Sequence, residues 1–141
     1  MIIPVSKENE RIWGELCASL WPHHTVESFI NERYNGEFQN DFLYVLKEEI
    51  VAFISLSVRN DYVEGTESSP VGYLEGIYVK PEFRNQGIGK RLVEYGKIWC
   101  AEKGCSEFAS DCLLENDASR KFHNMIGFKE ANTIVCFTMR I

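Results

Sequence analysis

One glycine-rich turn and two carboxylates carry most of the chemistry this chain offers. Tyr78-Val79-Lys80-Pro81-Glu82-Phe83-Arg84-Asn85-Gln86-Gly87-Ile88-Gly89-Lys90-Arg91-Leu92 reads as a strand, a turn and a helix that opens at two glycines. The first turn of a helix has unpaired N–H groups and the positive end of the helix dipole. Glycine lets an anion approach that backbone closely, and Arg84, Lys90 and Arg91 add positive charge nearby. The stretch predicts an anion site, most naturally for a pyrophosphate. A helix that merely starts at glycine is the plain alternative. The Gly-Lys-Ser/Thr ending of a Walker loop is absent, and two glycines do not complete a dinucleotide fingerprint.

Glu75 lies between Leu74 and Gly76, in a run with strand composition. If that strand is central, a carboxylate on it needs a reason to be there; a solvated strand residue is the alternative. Asp111 lies on the next strand, where it either faces the same cleft or caps a turn. Two carboxylates flanking one amine would bind it, and either could take its proton, directly or through a water. The five cysteines, Cys17, Cys100, Cys105, Cys112 and Cys136, are odd in number and contain no Cys-x-x-Cys pair. They read as small buried side chains, with no disulfide and no metal site. A catalytic thiol at Cys112 lacks any sequence neighbour that would lower its pKa.

Composition narrows the partners. The 141 residues fit one domain, 1–141, and the 45% hydrophobic content supplies a real core. A formal charge of -6 disfavours nucleic acid and is compatible with a cationic small molecule. No segment approaches the ~20 apolar residues of a membrane span. Met1–Glu8 lacks the pattern of a signal peptide. The expectation is a soluble cytoplasmic protein with no membrane partner.

The elements that must position these groups follow from periodicity. Ile2–Val5 reads as a strand. Ser6 can cap a helix over Glu8–Leu20, whose Ile12, Trp13, Leu16, Cys17 and Leu20 share a face. Thr25 can cap a second helix carrying Val26, Phe29 and Ile30. Phe42–Leu46 and Val51–Val58 form a hairpin across Lys47–Ile50. Asn60–Pro70 is a polar loop and Val71–Val79 a strand closed by Pro81. The helix from Gly87 runs to Lys103-Gly104. Glu107–Cys112 is a strand. Asn116 or Asp117 caps a short helix ending at Met125 and Gly127, and Phe128–Met139 supplies a final strand or strands. The order β-α-α-β-β-β-α-β-α-β describes an α/β or α+β sheet with helices on its faces.

Arg84-x-x-Gly87-x-Gly89 between strand and helix resembles motif A of the GNAT acetyltransferases. Asn116-Asp117-Ala118-Ser119-Arg120-Lys121-Phe122-His123-Asn124-Met125-Ile126-Gly127-Phe128 resembles their motif B. The resemblance implies the GNAT fold, a mixed and mostly antiparallel sheet splayed at a central cleft, with helices on both faces and acetyl-CoA between the fourth and fifth strands. Asn85, Gln86, Gly87, Ile88, Gly89 and Lys90 would bind pyrophosphate through backbone N–H groups. Ile77, Tyr78 and Val79 would pair with the pantetheine arm, a backbone N–H near Val79 would stabilise the oxyanion, and Asn116 would touch the cofactor. Many members place an acidic tyrosine where this chain has His123, which serves here either as that acid or as a packing residue.

Leu20-Trp21-Pro22, Asp61–Gly65, Ser69–Gly76 and Ala109-Ser110-Asp111 resemble the aminoglycoside 6′-N-acetyltransferases within that superfamily. The resemblance implies a homodimer and an aminoglycoside site formed by Trp21, His24, Tyr62, Glu75, Asp111 and Asn132, the last standing where that branch tends to carry an acid. Read alone, Trp21 is equally a core residue and His24 an ordinary exposed one, whereas Tyr62 in a polar loop has little core to join. A GNAT enzyme for another amine (a polyamine, a small metabolite or a protein N-terminus) is the alternative.

Overall fold

Near-continuous apolar runs along the three longest strands put apolar side chains on both faces of the sheet. The computed structural model describes residues 1–141. Five strands lie in chain order: β1 (Ile2–Pro4), β2 (Asp41–Leu46), β3 (Glu49–Arg59), β4 (Val71–Val79) and β5 (Phe108–Ser110). The first four pair antiparallel, and β5 joins β4 parallel. On one face Leu43 and Phe53 meet Trp13, Leu16 and Cys17 of α1 (Glu10–Leu20) and Phe29 of α2 (Val26–Tyr34). On the other, Ile54, Leu56 and Leu74 meet Ile88, Leu92, Val93 and Trp99 of α3 (Ile88–Glu102). Fully burying a side chain of this size contributes about 1.5–3 kcal/mol, so these two clusters hold the layers together. Phe122 of α4 (Asp117–Met125) and Ile126, its C-cap, pack half-buried against the same cluster as α3.

Local chemistry sets several boundaries. Thr25 and Ser28 form a reciprocal capping box at the start of α2, as its sequence suggests. The cap of α1 differs from expectation. Asn9, not Ser6, is the N-cap residue, and its Oδ1 accepts from the Ser6 N–H at 2.8 Å. The β2–β3 connection is also tighter than the four residues expected. Lys47 and Glu48 both take positive φ (48° and 69°), the geometry of a two-residue hairpin turn.

The expected final strand over Phe128–Met139 does not form within this chain. Residues 128–141 have no regular structure, and Val135, Phe137 and Met139 are exposed. Their every-second-residue pattern is that of a strand, but a strand needs an edge to pair with, and none in the chain receives it.

Candidate active site

The turn before α3 is shaped to receive an anion. A short 3-10 turn (Pro81–Phe83) leads out of β4, and Arg84 pins the exit by donating Nε–H to the Val79 carbonyl at 2.8 Å. Asn85 (φ 62°) and Gly87 (φ 80°) then take left-handed backbone, which glycine adopts without strain. The first helical bond runs from Arg91 N–H to the Gly87 carbonyl, so the N–H groups of Asn85, Gln86, Gly87, Ile88, Gly89 and Lys90 have no acceptor in the chain. Arg91 reaches back to the Gln86 carbonyl and the Tyr44 hydroxyl, both at 3.4 Å. Two of the three cations thus fasten the loop, while Lys90 forms no ion pair. Asn116 caps α4, accepting from Ser119 N–H at 3.2 Å.

The sheet opens beside this loop. β4 and β5 pair only at Gly72–Leu74 with Phe108–Ser110, and β4 continues five residues further without a neighbour on that side. Ile77, Tyr78 and Val79 therefore present a free strand edge. Across β3, Ser55 pairs with Gly76 and Leu56 with Leu74, which leaves Glu75 as the extra residue of a β-bulge. A bulge re-aims its side chain. Here it turns Glu75 toward Ser57, whose hydroxyl donates to Oε2 at 2.5 Å.

The six residues expected to meet the acceptor fall into two neighbouring cavities. Trp21, His24 and Glu75 line one of ≈ 530 Å³, together with Glu32, Glu37 and Ser55. Tyr62, Asp111 and Asn132 line another of ≈ 660 Å³, with Arg59, Tyr73 and His123. Trp21 is both wall and core: it packs against Phe29, Phe38 and Phe53 while facing the first cavity. Its ring lies so close to Gly76 that a Cβ there would sit 2.5 Å from Cη2. His24 has Phe29 as its aromatic neighbour, and Tyr62 is 76% exposed. Asn132 donates to Glu64 at 2.6 Å. Asp111 accepts from the Tyr73 hydroxyl, and burial followed by that bond pushes the phenol pKa up.

Both ring nitrogens of His123 are engaged. Its Nδ1 lies 2.7 Å from the Ser119 carbonyl, which can only accept, so that nitrogen carries a proton. Its Nε2 lies 2.8 Å from the Ser110 hydroxyl, which also reaches the Leu74 carbonyl at 3.3 Å. Cys112 is exposed and Cys17 buried, and all five cysteines are free. No cluster of three His, Cys, Asp or Glu side chains is placed to hold a metal ion.

Two charged positions around the site escape a reading of the sequence alone. Arg59 forks onto Glu75 and stands between the two cavities. Asp41 lies behind Ser55, 2% exposed, accepting from Trp13 Nε1–H at 2.7 Å, while its Oδ1 has no partner. Burial pushes its carboxyl up to about 7 against the opposing pull of the neighbouring Ser55 and Trp13 side chains. A signal for Arg59 exists in the chain: Ser55, Ser57 and Arg59 put polar groups at alternate positions of an otherwise apolar strand.

The geometry has clear relatives. Residues 7–128 match the model of the acetyltransferase (GNAT) family. The aminoglycoside N(6′)-acetyltransferase type 1 of Acinetobacter baumannii is 35% identical over 99% of this chain and 98% of its own length. The enzyme of the same name from Salmonella typhimurium is 36% identical over 91% and 90%. Among solved structures, the apo aminoglycoside 6′-N-acetyltransferase AAC(6′)-IG of Acinetobacter haemolyticus superposes with a TM-score of 0.93 at 35% identity, covering 100% of this chain and 99% of that one. AAC(6′)-Iy, solved with the bisubstrate analogue CoA-S-monomethyl-acetylneamine, gives 0.92 at 33% identity, covering 100% and 98%. The chain belongs to the acetyltransferase (GNAT) family, in the branch of the aminoglycoside 6′-N-acetyltransferases.

Proposed function

We propose that the chain transfers the acetyl group of acetyl-CoA to the 6′-amine of an aminoglycoside, by direct attack within a ternary complex. The observation that carries this reading is the placing of Glu75, a bulged carboxylate where β4 parts from β5, between the open strand edge and an acidic, aromatic-walled cavity. The free N–H groups of Asn85–Lys90 fit a pyrophosphate, and the free edge of Ile77–Val79 fits a pantetheine arm. Asn116, held as the cap of α4, would touch the cofactor arm.

Trp21, His24 and Glu75 receive the sugar that carries the reacting amine, and Tyr62, Asp111 and Asn132 receive the rest of the acceptor. Aminoglycosides are polycations rich in hydroxyls, and carboxylates beside aromatic walls suit them. The amine arrives as an ammonium, since primary amines are largely protonated near neutral pH. Glu75 holds it and accepts its proton through a water, while Asp111 adds negative charge from the second cavity. The freed lone pair attacks the thioester carbonyl carbon. The N–C bond forms, a backbone N–H near Val79 stabilises the oxyanion, the C–S bond breaks, and the departing sulfur takes up the second proton that the attacking nitrogen gives up. His123 holds Ser110 and Ser119 in place and is a positioning residue, both of its ring nitrogens being engaged by neighbours in the chain.

The active form is a homodimer. Val135, Phe137 and Met139 alternate along an exposed arm, and β5 is an edge strand, so a second copy supplies the pairing the arm lacks. The reaction belongs in the cytoplasm, where acetyl-CoA is made and five free thiols stay reduced. No helix is long and apolar enough to cross a membrane.

Release of CoA thiol, followed with kanamycin and with spermidine as acceptors, tests the reading. Turnover of kanamycin at least a hundredfold more efficient than that of spermidine is expected. Turnover of spermidine alone would favour a polyamine enzyme instead.

A further inference from the structure

Glu75 and Asp111, the two carboxylates facing the acceptor cavities, are already joined through a cation of the chain itself. The Arg59 guanidinium contacts both oxygens of Glu75, with Nη2 at 2.7 Å from Oε1 and 3.0 Å from Oε2, and Nε at 3.3 Å from Oε2. Its Cζ lies 3.5 Å from the centroid of the Tyr73 ring. The Tyr73 hydroxyl in turn donates to Asp111. Arg59 lines one cavity and Glu75 the other, so their ion pair is the wall between the two. An arginine stays charged under all working conditions. The place between the carboxylates where an acceptor ammonium would sit is therefore held by a resident cation.

We propose that Arg59 is a specificity-determining residue that makes this site select polycationic amines over monocationic ones. The inference rests on the acceptor reading above. A single ammonium reaching Glu75 must exchange with a guanidinium that has three contacts to the carboxylate and a stacking partner. One cation replaces another, and the incomer recovers no more than Arg59 gives up. A polycation does better. Its further ammonium groups meet Glu32 and Glu37 in the first cavity and Glu64 in the second, none of which is in an ion pair. These contacts bind a polycation with the Arg59–Glu75 pair still in place, so its affinity does not depend on the displacement that sets a monocation's. Arg59 can leave, because its side chain is 43% exposed and only Glu75 and Tyr73 hold it. Selectivity of this kind comes from a penalty on the wrong ligand more than from a gain on the right one.

Calorimetric titration at saturating CoA, which has no acetyl group to transfer, tests this in the full-length wild type, Arg59→Gln and Arg59→Lys. The ligands are kanamycin and 6-amino-6-deoxyglucose, which has the same kind of amine but a single charge. In Arg59→Gln the Kd for the monoamine falls about tenfold, a moderate figure for a partly exposed charge-assisted pair. The Kd for kanamycin changes less than about threefold, as expected when one of several ion pairs is altered. Arg59→Lys, which keeps the charge, keeps the wild-type preference. The inference is overturned if both ligands weaken together, which would make Arg59 a support for Glu75, or if the ratio of the two affinities is the same in all three proteins. Acetyl-CoA affinity measured in each variant shows that the fold is retained. A wild type that fails to acetylate kanamycin would defeat the functional reading, whereas the affinity ratio reports on Arg59 independently of turnover.

Discussion

The proposed donor end of this site is built from backbone and the proposed acceptor end from side chains. At the donor end the groups on offer are the N–H groups of Asn85–Lys90 and the free edge of Ile77–Val79, set by left-handed φ at Asn85 and Gly87. Side-chain identity matters little there beyond glycine and the pinning arginines. At the acceptor end Trp21 comes from the end of α1, Glu75 from a bulge in β4, Arg59 from β3 and Asp111 from just beyond β5. A backbone site can stay constant for a constant ligand, whereas a side-chain site can change its acceptor one residue at a time. The same division explains how many activities share one fold.

Breaking the acceptor end alone should have the largest effect. Glu75→Gln should lower kcat/KM for kanamycin by about 10²–10⁴-fold, the usual reach of a positioned base. Its Kd for acetyl-CoA should stay within about twofold of wild type, since that site uses other atoms. Loss of acetyl-CoA binding in this variant would show that the two ends are not separable.

Asp41 marks a stability cost that only the acceptor end carries. Its folded pKa of about 7 lies above the ordinary 3.8, so the folded protein binds the extra proton between those values. Stability therefore falls as pH rises from about 4 to 7, and the full cost of the buried charge is present above pH 7. That component is a few kcal/mol, at most about 4, at 1.36 kcal/mol per pH unit. Urea unfolding at pH 5 and pH 8 should show it in wild type and not in Asp41→Asn. Equal pH dependence in the two proteins would mean that the carboxyl is not neutral in the fold.

The donor end should break through backbone conformation. A Cβ at Gly87 meets nothing closer than 3.9 Å, so Gly87→Val is opposed by its φ of 80° and not by crowding. Left-handed backbone costs a residue with a side chain about 1–2 kcal/mol, so acetyl-CoA affinity should fall roughly tenfold. Kanamycin affinity, read by calorimetry, should be unchanged. The smallest effect is expected at His123. His123→Ala should alter kcat by less than about threefold with no change in the shape of its pH profile, because removing a mere positioning contact leaves the proton route intact. Loss of a limb of that profile would restore the acid role.

Legibility followed the same division. Motif A could be read because its requirements are local: Arg84, Gly87 and Gly89 sit within one turn, and the helix after them has a continuous apolar face. The Glu75 position was readable, but its partner was not. Arg59 meets Glu75 only through the β3–β4 register and its bulge, which strand alternation does not specify. Asp41 was hidden because its burial depends on Trp13 and Ser55 arriving from two other elements. The arm from 128 to 141 has a strand's pattern without a strand's partner, and periodicity cannot distinguish the two.

The most direct measurement is the NMR structure of the product formed from kanamycin and acetyl-CoA. A single acetyl group on the 6′-nitrogen, with one CoA thiol released per acetyl transferred, is the predicted result. No product, or acetylation at another nitrogen, would contradict the placing of the 6′-amine beside Glu75 at the parting of β4 and β5.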